Sequence, residues 1–360
     1  MKKTLSFLLA LVLVFSLVAC GKKETPTEGE TKETVSEGNG TETSNEEVAE
    51  GEIAKVGLGI VVGLQARERG ENINAQQNAT YAAVAFDKDG KIVSAQIDTA
   101  QSTMPITKEG KFVTPVEEVS FKTKHELGDD YGMKGASGIQ KEWTEQIRAF
   151  EEYIVGKTAD EVAGIPTEKK DDAHLNVPTD VDLLASVTID IGAYQKAVVK
   201  AWENAKDAVG TTKVGQKAIT VLGRGTKEAE GEDGASVQFE TTVSTVALNA
   251  NDEIVVSFLD TAQNTIKLNK DGSVAGELGE GTTKMQLGSE YAMKEASPIG
   301  KEWDEQMKAM EEWTMGKKLA DIEGMKLEEG KPDDADLKST TTIIVTNYQK
   351  ALEDAIKLAK

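Results

Sequence analysis

The chain has 360 residues and a formal net charge of −21, which excludes a nucleic-acid binder of the usual kind, because phosphate backbones call for basic patches. Its single cysteine, Cys20, excludes internal disulfides and cysteine-ligated clusters, and two histidines, His125 and His174, leave no histidine-rich metal site. The 39% hydrophobic content still supports full-sized cores, so any redox chemistry here requires an organic cofactor.

The N-terminus reads as a secretory signal. Lys2 and Lys3 precede the apolar run Leu5 to Leu17, followed by Val18-Ala19-Cys20-Gly21. The run falls short of the roughly 20 residues a membrane span requires. Leu17-Val18-Ala19-Cys20 resembles the lipobox of bacterial lipoproteins, which implies cleavage before Cys20, acylation of its thiol (palmitate or a similar chain), and a protein anchored by lipid to the outer face of the cell membrane. Residues 21–53 are rich in Thr, Glu, Gly and Ser and poor in large apolar residues, so they are expected to form a disordered acidic tether.

The remainder is an internal duplication. Ile97-Asp98-Thr99-Ala100-Gln101 returns as Leu259-Asp260-Thr261-Ala262-Gln263, and Leu127 to Lys157 returns as Leu287 to Lys317. Each copy has the size of a domain, which predicts two tandem domains over 54–208 and 209–360. Thr80 to Ile97 holds two β-rich runs around Asp87-Lys88-Asp89-Gly90, a hairpin signature. A long helix follows, with Ile139, Trp143, Ile147, Phe150 and Ile154 on one face. Ser137 with Gln140, and Ser297-Pro298, are expected to start it, and Gly156 and Gly316 to stop it. Strands with segregated helices predict an α+β fold with antiparallel sheet, one long helix and a C-terminal helix per copy.

Near the end of each copy a small device recurs. Asp182 stands six residues before Thr188, and Asp336 six before Thr342; each threonine precedes Tyr-Gln-Lys-Ala. Read as a strand, residues 187–191 bury Val187, Ile189 and Ile191 and open Thr188 to solvent. A helix is expected from Tyr194, with Gly192 near its start, and Thr346 with Gln349 is expected to form a capping box. A hydroxyl beside a helix N-terminus suits a phosphoester-linked group. Trp143 and Trp303 read as core, Lys196 and Lys350 as solvent-facing, and Tyr131 and Tyr291, in the loop before the long helix, as candidate neighbours of a bound ring.

This device resembles that of the FMN-binding domain family, roughly Asp-x-x-Ser/Thr-Gly-Ala-Thr before a helix. Asp182, Thr188, Asp336, Ser339 and Thr342 match; Ala185 replaces the Ser/Thr, Ser186 and Thr340 the Gly, and Val187 and Thr341 the Ala. The leader, tether and tandem copies are similar to PplA-type flavinylated lipoproteins of extracellular electron transfer. The resemblance implies covalent FMN on Thr188 and Thr342 through phosphoester-threonyl bonds, installed by a flavin transferase. It further implies an electron carrier rather than an enzyme, fed by a membrane quinol and NADH dehydrogenase system and discharging to extracellular acceptors. A solute-binding lipoprotein and a structural surface lipoprotein without flavin are the alternatives.

Cells fed a fatty-acid analogue should label the wild-type chain and spare Cys20→Ser; equal labelling of both would refute the anchor.

Overall fold

Strands far longer than the usual five or six residues dominate the computed structural model, which describes residues 51–360. Cys20, the signal peptide and nearly all of the proposed tether lie outside the described residues. The first half opens with β1 (Lys55–Arg69), β2 (Asn72–Phe86) and β3 (Ile92–Thr107). These pair antiparallel in the order β1-β2-β3, with β2 and β3 joined through the Asp87–Gly90 turn. That turn forms as the sequence predicts: Gly90 takes φ +78°, and Asp87 Oδ1 accepts the N–H groups of Asp89 and Lys91 at 2.9 Å.

Helices and short strands follow: α1 (Lys124–Leu127), α2 (Trp143–Ile154), α3 (Ala159–Ala163), β4 (Thr167–Glu168), β5 (Val177–Pro178), α4 (Val181–Leu184), α5 (Gly192–Glu203) and β6 (Lys206–Asp207). The second half repeats the plan. Strands β7 (Thr211–Leu222), β8 (Ser236–Asn249) and β9 (Ile254–Lys267) form its sheet, followed by β10 (Glu280–Gly281), α6 (Lys284–Leu287) and α7 (Trp303–Thr314). It closes with α8 (Leu319–Glu323), β11 (Leu327–Glu328), β12 (Lys331–Pro332), α9 (Ala335–Lys338) and α10 (Thr346–Leu358). The α+β class with antiparallel sheets is therefore present in both halves.

Alternation along the strands divides the interior into layers. In the first half Ala82, Val84, Phe86 and Ile97 face α2 and α5, packing on Trp143, Ile147, Phe150, Tyr194 and Val198. Leu58, Ile60, Tyr81 and Ala83 point the other way and meet Val214, Ala218, Val243, Val256 and Phe258 of the second half. The outer face of the second sheet carries α7 and α10 through Val246, Leu259, Met307, Met310 and Leu352. The result is a helix–sheet–sheet–helix stack.

The two copies of the duplication meet through their sheets in this arrangement. Residues 51–360 form one compact unit, and the two sheets share an apolar interior. β1 also pairs with β10 of the other half, at Val62 opposite Gly281. The proposed boundary at residue 208 falls between β6 and β7, where the sequence repeat restarts but the core does not.

The C-terminal helix of each half sits directly on its first strand because glycine clears the way. A Cβ on Gly57 would stand 1.8 Å from the Ala201 carbonyl oxygen of α5, and one on Gly215 2.0 Å from the Ala355 carbonyl oxygen of α10.

The helix starts differ from expectation. Glu142 and Glu302, not Ser137 and Ser297, are the N-caps of α2 and α7, each forming a capping box with Glu145 or Glu305. Ser137 and Gln140 instead shape a turn, in which Gln140 adopts φ +55°. The predicted stops hold, with Gly156 at φ +81° and Gly316 at φ +75°.

Gly57→Ala should lower stability by about 2 kcal/mol or more, because the obstruction is backbone and not a movable side chain. Gly63→Ala, with open space around it, is the control expected to be near neutral; equal urea midpoints for the two variants would refute the close-packing account.

Candidate functional site

The two threonines are held in the same way in both halves. Gln146 of α2 and Gln306 of α7 are fully buried, and each turns its carboxamide oxygen toward one threonine. Gln146 Oε1 accepts the Thr188 backbone N–H at 2.8 Å and its hydroxyl at 3.3 Å. Gln306 Oε1 accepts the Thr342 N–H at 2.9 Å and its hydroxyl at 3.3 Å. The amide end is fixed in turn: Gln146 Nε2 donates to Ser137 Oγ at 3.1 Å and to the Lys141 carbonyl at 3.2 Å, and Gln306 Nε2 reaches Ser297 Oγ and the Lys301 carbonyl, both at 3.2 Å. Fixed donors dictate which end of the carboxamide faces the threonine. The hydroxyl donates inward, so its lone pairs remain free, and both threonines are half-buried at the surface.

The strand expected over residues 187–191 is absent. Its backbone groups find partners outside any sheet: Val187 N–H donates to the Leu183 carbonyl, Thr188 N–H to Gln146, and Ile191 N–H to the Asn176 carbonyl. The alternation itself survives, with Val187 and Ile191 fully buried and Thr188 half-open, because the segment threads over the core.

Asp182 and Asp336 are exposed in the first turns of α4 and α9. The capping residues are Asp180 and Asp334, two positions earlier. Asp180 Oδ1 accepts from Asp182 N at 3.0 Å and Leu183 N at 3.3 Å, and Asp334 makes the same pair of bonds to Asp336 and Leu337. The repeated Asp182 and Asp336 therefore present free-facing carboxylates on the surface beside the threonine segments.

The expected helix-end anion site is also revised. α5 begins at Gly192, and the Asp190 carboxylate accepts Gly192 N–H at 2.9 Å, so a negative group already stands there. In the second half the matching residue is the exposed Ile344, and α10 has no side-chain cap; Gln349 turns away to the Ile322 and Met325 carbonyls, so the Thr346–Gln349 capping box does not form.

Tyr131 and Tyr291 stand at the opening beside α2 and α7. Their hydroxyls donate to Gln101 Oε1 and Gln263 Oε1, both at 3.1 Å. Burial pushes the Tyr131 hydroxyl above its ordinary pKa. Trp143 and Trp303 are buried core residues, as expected, and the Trp143 indole N–H donates to Tyr194 Oη at 2.8 Å. Lys196 and Lys350 are exposed as expected; Lys196 pairs with Glu280 at 2.5 Å and Lys350 with Asp354.

Several site residues escaped the sequence reading, although every one is repeated between the copies. Glu142 and Glu302 fold the preceding loop around a buried carboxylate: Glu142 accepts from Met133 N at 2.9 Å and Lys134 N at 2.7 Å, and Glu302 from Met293 N at 2.8 Å. Asp98 and Asp260 are buried on the third strand of each sheet, where Oδ1 receives the N–H of the next residue at 2.7 Å in both. Burial raises both carboxyls, Asp260 to about 6, and Glu151 of α2 likewise to about 7. Lys124 and Lys284 lie with Nζ against two aromatic faces each, at 4.9 and 5.2 Å from the ring centres of Tyr131 and Trp143, and at 5.0 and 5.6 Å from those of Tyr291 and Trp303. The signal that would have found them is exact recurrence of polar residues at matched positions.

An oriented acceptor hydroxyl, an uncommitted cation and aromatic walls are a donor set that fits an FMN group attached through its phosphate. Among the described residues no cluster of His, Cys, Asp and Glu suits a metal ion, and no helix is long and apolar enough to cross a membrane.

A stretch of 116 residues is 33% identical to a chlorophenol reductase of Desulfitobacterium hafniense, covering 29% of this chain and 36% of that protein, so this chain matches only about a third of that relative's length. No family model matches the chain, and no solved structure matches it.

A buried carboxyl raised in the folded state favours folding when protonated. Asp260 should therefore support stability fully below about pH 4 and progressively less as pH rises through about 6. Urea midpoints between pH 4 and 7.5 should fall less steeply for Asp260→Asn than for wild type; parallel curves would refute the assignment.

Proposed function

We propose that this protein is an extracytoplasmic electron carrier holding one FMN covalently on each of Thr188 and Thr342. The observation that carries the reading is the duplicated carboxamide clamp, in which a buried glutamine fixes both the backbone and the hydroxyl of the same threonine in each half. A side chain needed only for strand propensity has no use for such a clamp. A hydroxyl destined to accept a phosphoryl group does, because transfer depends on positioning of the acceptor.

Within this reading, the exposed Asp182 and Asp336 serve as recognition points for a flavin transferase, since neither caps its own helix. Tyr131 and Tyr291 flank the ring of the cofactor. When bound, FMN supplies reversible uptake of two electrons, and the chain's own residues position it and set its surroundings. Donors would be the membrane quinol and NADH dehydrogenase system, with the chain held by lipid on the outer face of the membrane and discharging to extracellular acceptors. The chlorophenol reductase that the chain partly matches is by its name an enzyme. We assign carrier rather than enzyme because the threonines lie half-buried at the surface.

A second reading rests on a cavity of the fold. About 560 Å³ opens between β1, β9 and α7, lined by Leu58, Ile60, Phe258, Met285, Lys206 and Glu311. At the matching position beside β3 and β7, one glutamine from each half ties the two strands: Gln96 Nε2 donates to the Val214 carbonyl at 2.6 Å, and Gln216 Nε2 to the Gln96 carbonyl at 2.9 Å. A cavity of that size favours a solute-binding lipoprotein without flavin.

Co-expression with a flavin transferase separates the two. Intact mass should show two FMN on wild type, one on Thr188→Ala or Thr342→Ala, and none on the double variant. Asp182→Ala and Asp336→Ala should lower loading several-fold. A colourless wild type would favour the solute-binding reading, and a double Thr→Ala variant still fluorescent after denaturation would exclude these attachment sites.

A further inference from the structure

Lys124 and Lys284 are the anomaly of the site. A buried ammonium is costly unless paired, and lysines in folded proteins normally reach a carboxylate or keep the head group in water. Lys284 is only 9% exposed and Lys124 is half-buried, yet neither ammonium forms a hydrogen bond or ion pair with any other described residue. Their partners are aromatic faces alone. Most other lysines in this acidic chain that lie near a carboxylate pair with it, as Lys206 does with Glu311 at 2.7 Å and Lys308 with Asp304 at 2.8 Å. The unpaired state is built twice, at matched positions, which sets it apart from a local accident.

The surroundings keep the two lysines in place. Each is the first residue of a one-turn helix started by a buried threonine, Thr123 or Thr283, through a full capping box. The helix is pinned to the third strand by the N–H of the following residue, His125 to Asp98 at 3.1 Å and Met285 to Asp260 at 3.0 Å. Burial lowers the Lys124 ammonium to about 8, partly offset by Asp98, so it still carries its charge at neutral pH. Trp143, under Lys124, lies one helical turn from Gln146, which clamps Thr188; Trp303 and Gln306 repeat the spacing toward Thr342.

Resting on the FMN reading above, we propose that Lys124 and Lys284 are the charge partners of the flavin rings, each neutralising the negative charge its ring acquires on reduction. Two electrons and one proton pass to the ring from a hydroquinone, which is oxidised to the quinone and releases its second proton to water. The ring then carries one net negative charge. An ammonium in no direct ion pair, set in a low-polarity aromatic surround, offsets that charge more strongly than a solvated lysine would. The lysine thereby raises the reduction potential of its own site without touching the attachment chemistry.

The test isolates one site at a time. Protein carrying Thr342→Ala, loaded with a single FMN on Thr188, is compared with the same chain carrying Lys124→Met, and loading is read first by intact mass. Potentiometric titration followed by visible absorbance should then show reduction of the Met variant disfavoured by roughly tenfold, about 30 mV more negative for a two-electron couple. Lys124→Arg, which keeps the charge, should stay near the parent value. Lys284 is tested identically in Thr188→Ala. A fully loaded Met variant with an unchanged potential overturns this inference and leaves the carrier reading standing. An Arg variant that shifts as far as Met also overturns it, by making the residue's role packing. A Met variant that fails to load while its parent loads would reassign the lysine to the phosphate. A parent that takes no FMN at all overturns both readings together.

Discussion

Everything in this fold depends on a five-stranded sheet, β1 to β3 with β6 and β10 along β1, and a three-stranded one, β7 to β9, sharing one apolar interior. Each sheet is hydrophobic on both faces, and a single half has helices enough for only one of them. Leu58, Ile60, Tyr81 and Ala83 would be left facing water if the first half stood alone, and Val243, Val256 and Phe258 if the second did. Burying such a face yields roughly 25 cal/mol per Å², so separation of the halves opposes the main driving force for folding. The reciprocal polar ties at the edges follow from this placement. Lys206, which ends the first half, reaches Glu311 in the second, and Lys360 exerts the same attraction on Glu151.

The site depends on this frame at one remove. α2 and α7 are fixed on the outer sheet faces by Trp143, Ile147 and Phe150, and by Trp303, Met307 and Met310. Each helix then contributes one buried glutamine whose amide end is already committed to a serine and a carbonyl. With that end fixed, the oxygen has a single direction available, and the threonine segment is held without belonging to any sheet. Loop geometry here is set by a side chain on a rigid helix, which is how a surface loop becomes reproducible enough to occur twice.

Much of this was legible in the residues. Period-two runs marked the strands, helical spacing marked α2, and the left-handed glycines marked its end, since those signals are local. What was hidden required knowledge of partners far along the chain. Nothing near Val187 says that no strand will lie beside it, and nothing in Ser137-Gly-Ile-Gln140 says that Glu142, with its carboxylate folded back on the loop, will win the capping position. A repeat reports ancestry, whereas the shared interior depends on which strand faces are apolar. Lys124 and Lys284 were overlooked because an isolated lysine reads as solvent-facing. Only the aromatic rings brought beneath it by the loop reveal otherwise.

The layer order has one more consequence. The two threonine segments lie over the helical layers, on opposite outer faces, with both sheets between them. Layers of this kind are spaced by about 10 Å, so three spacings intervene. The duplication therefore gives two separately clamped threonines, each held by the helix of its own half.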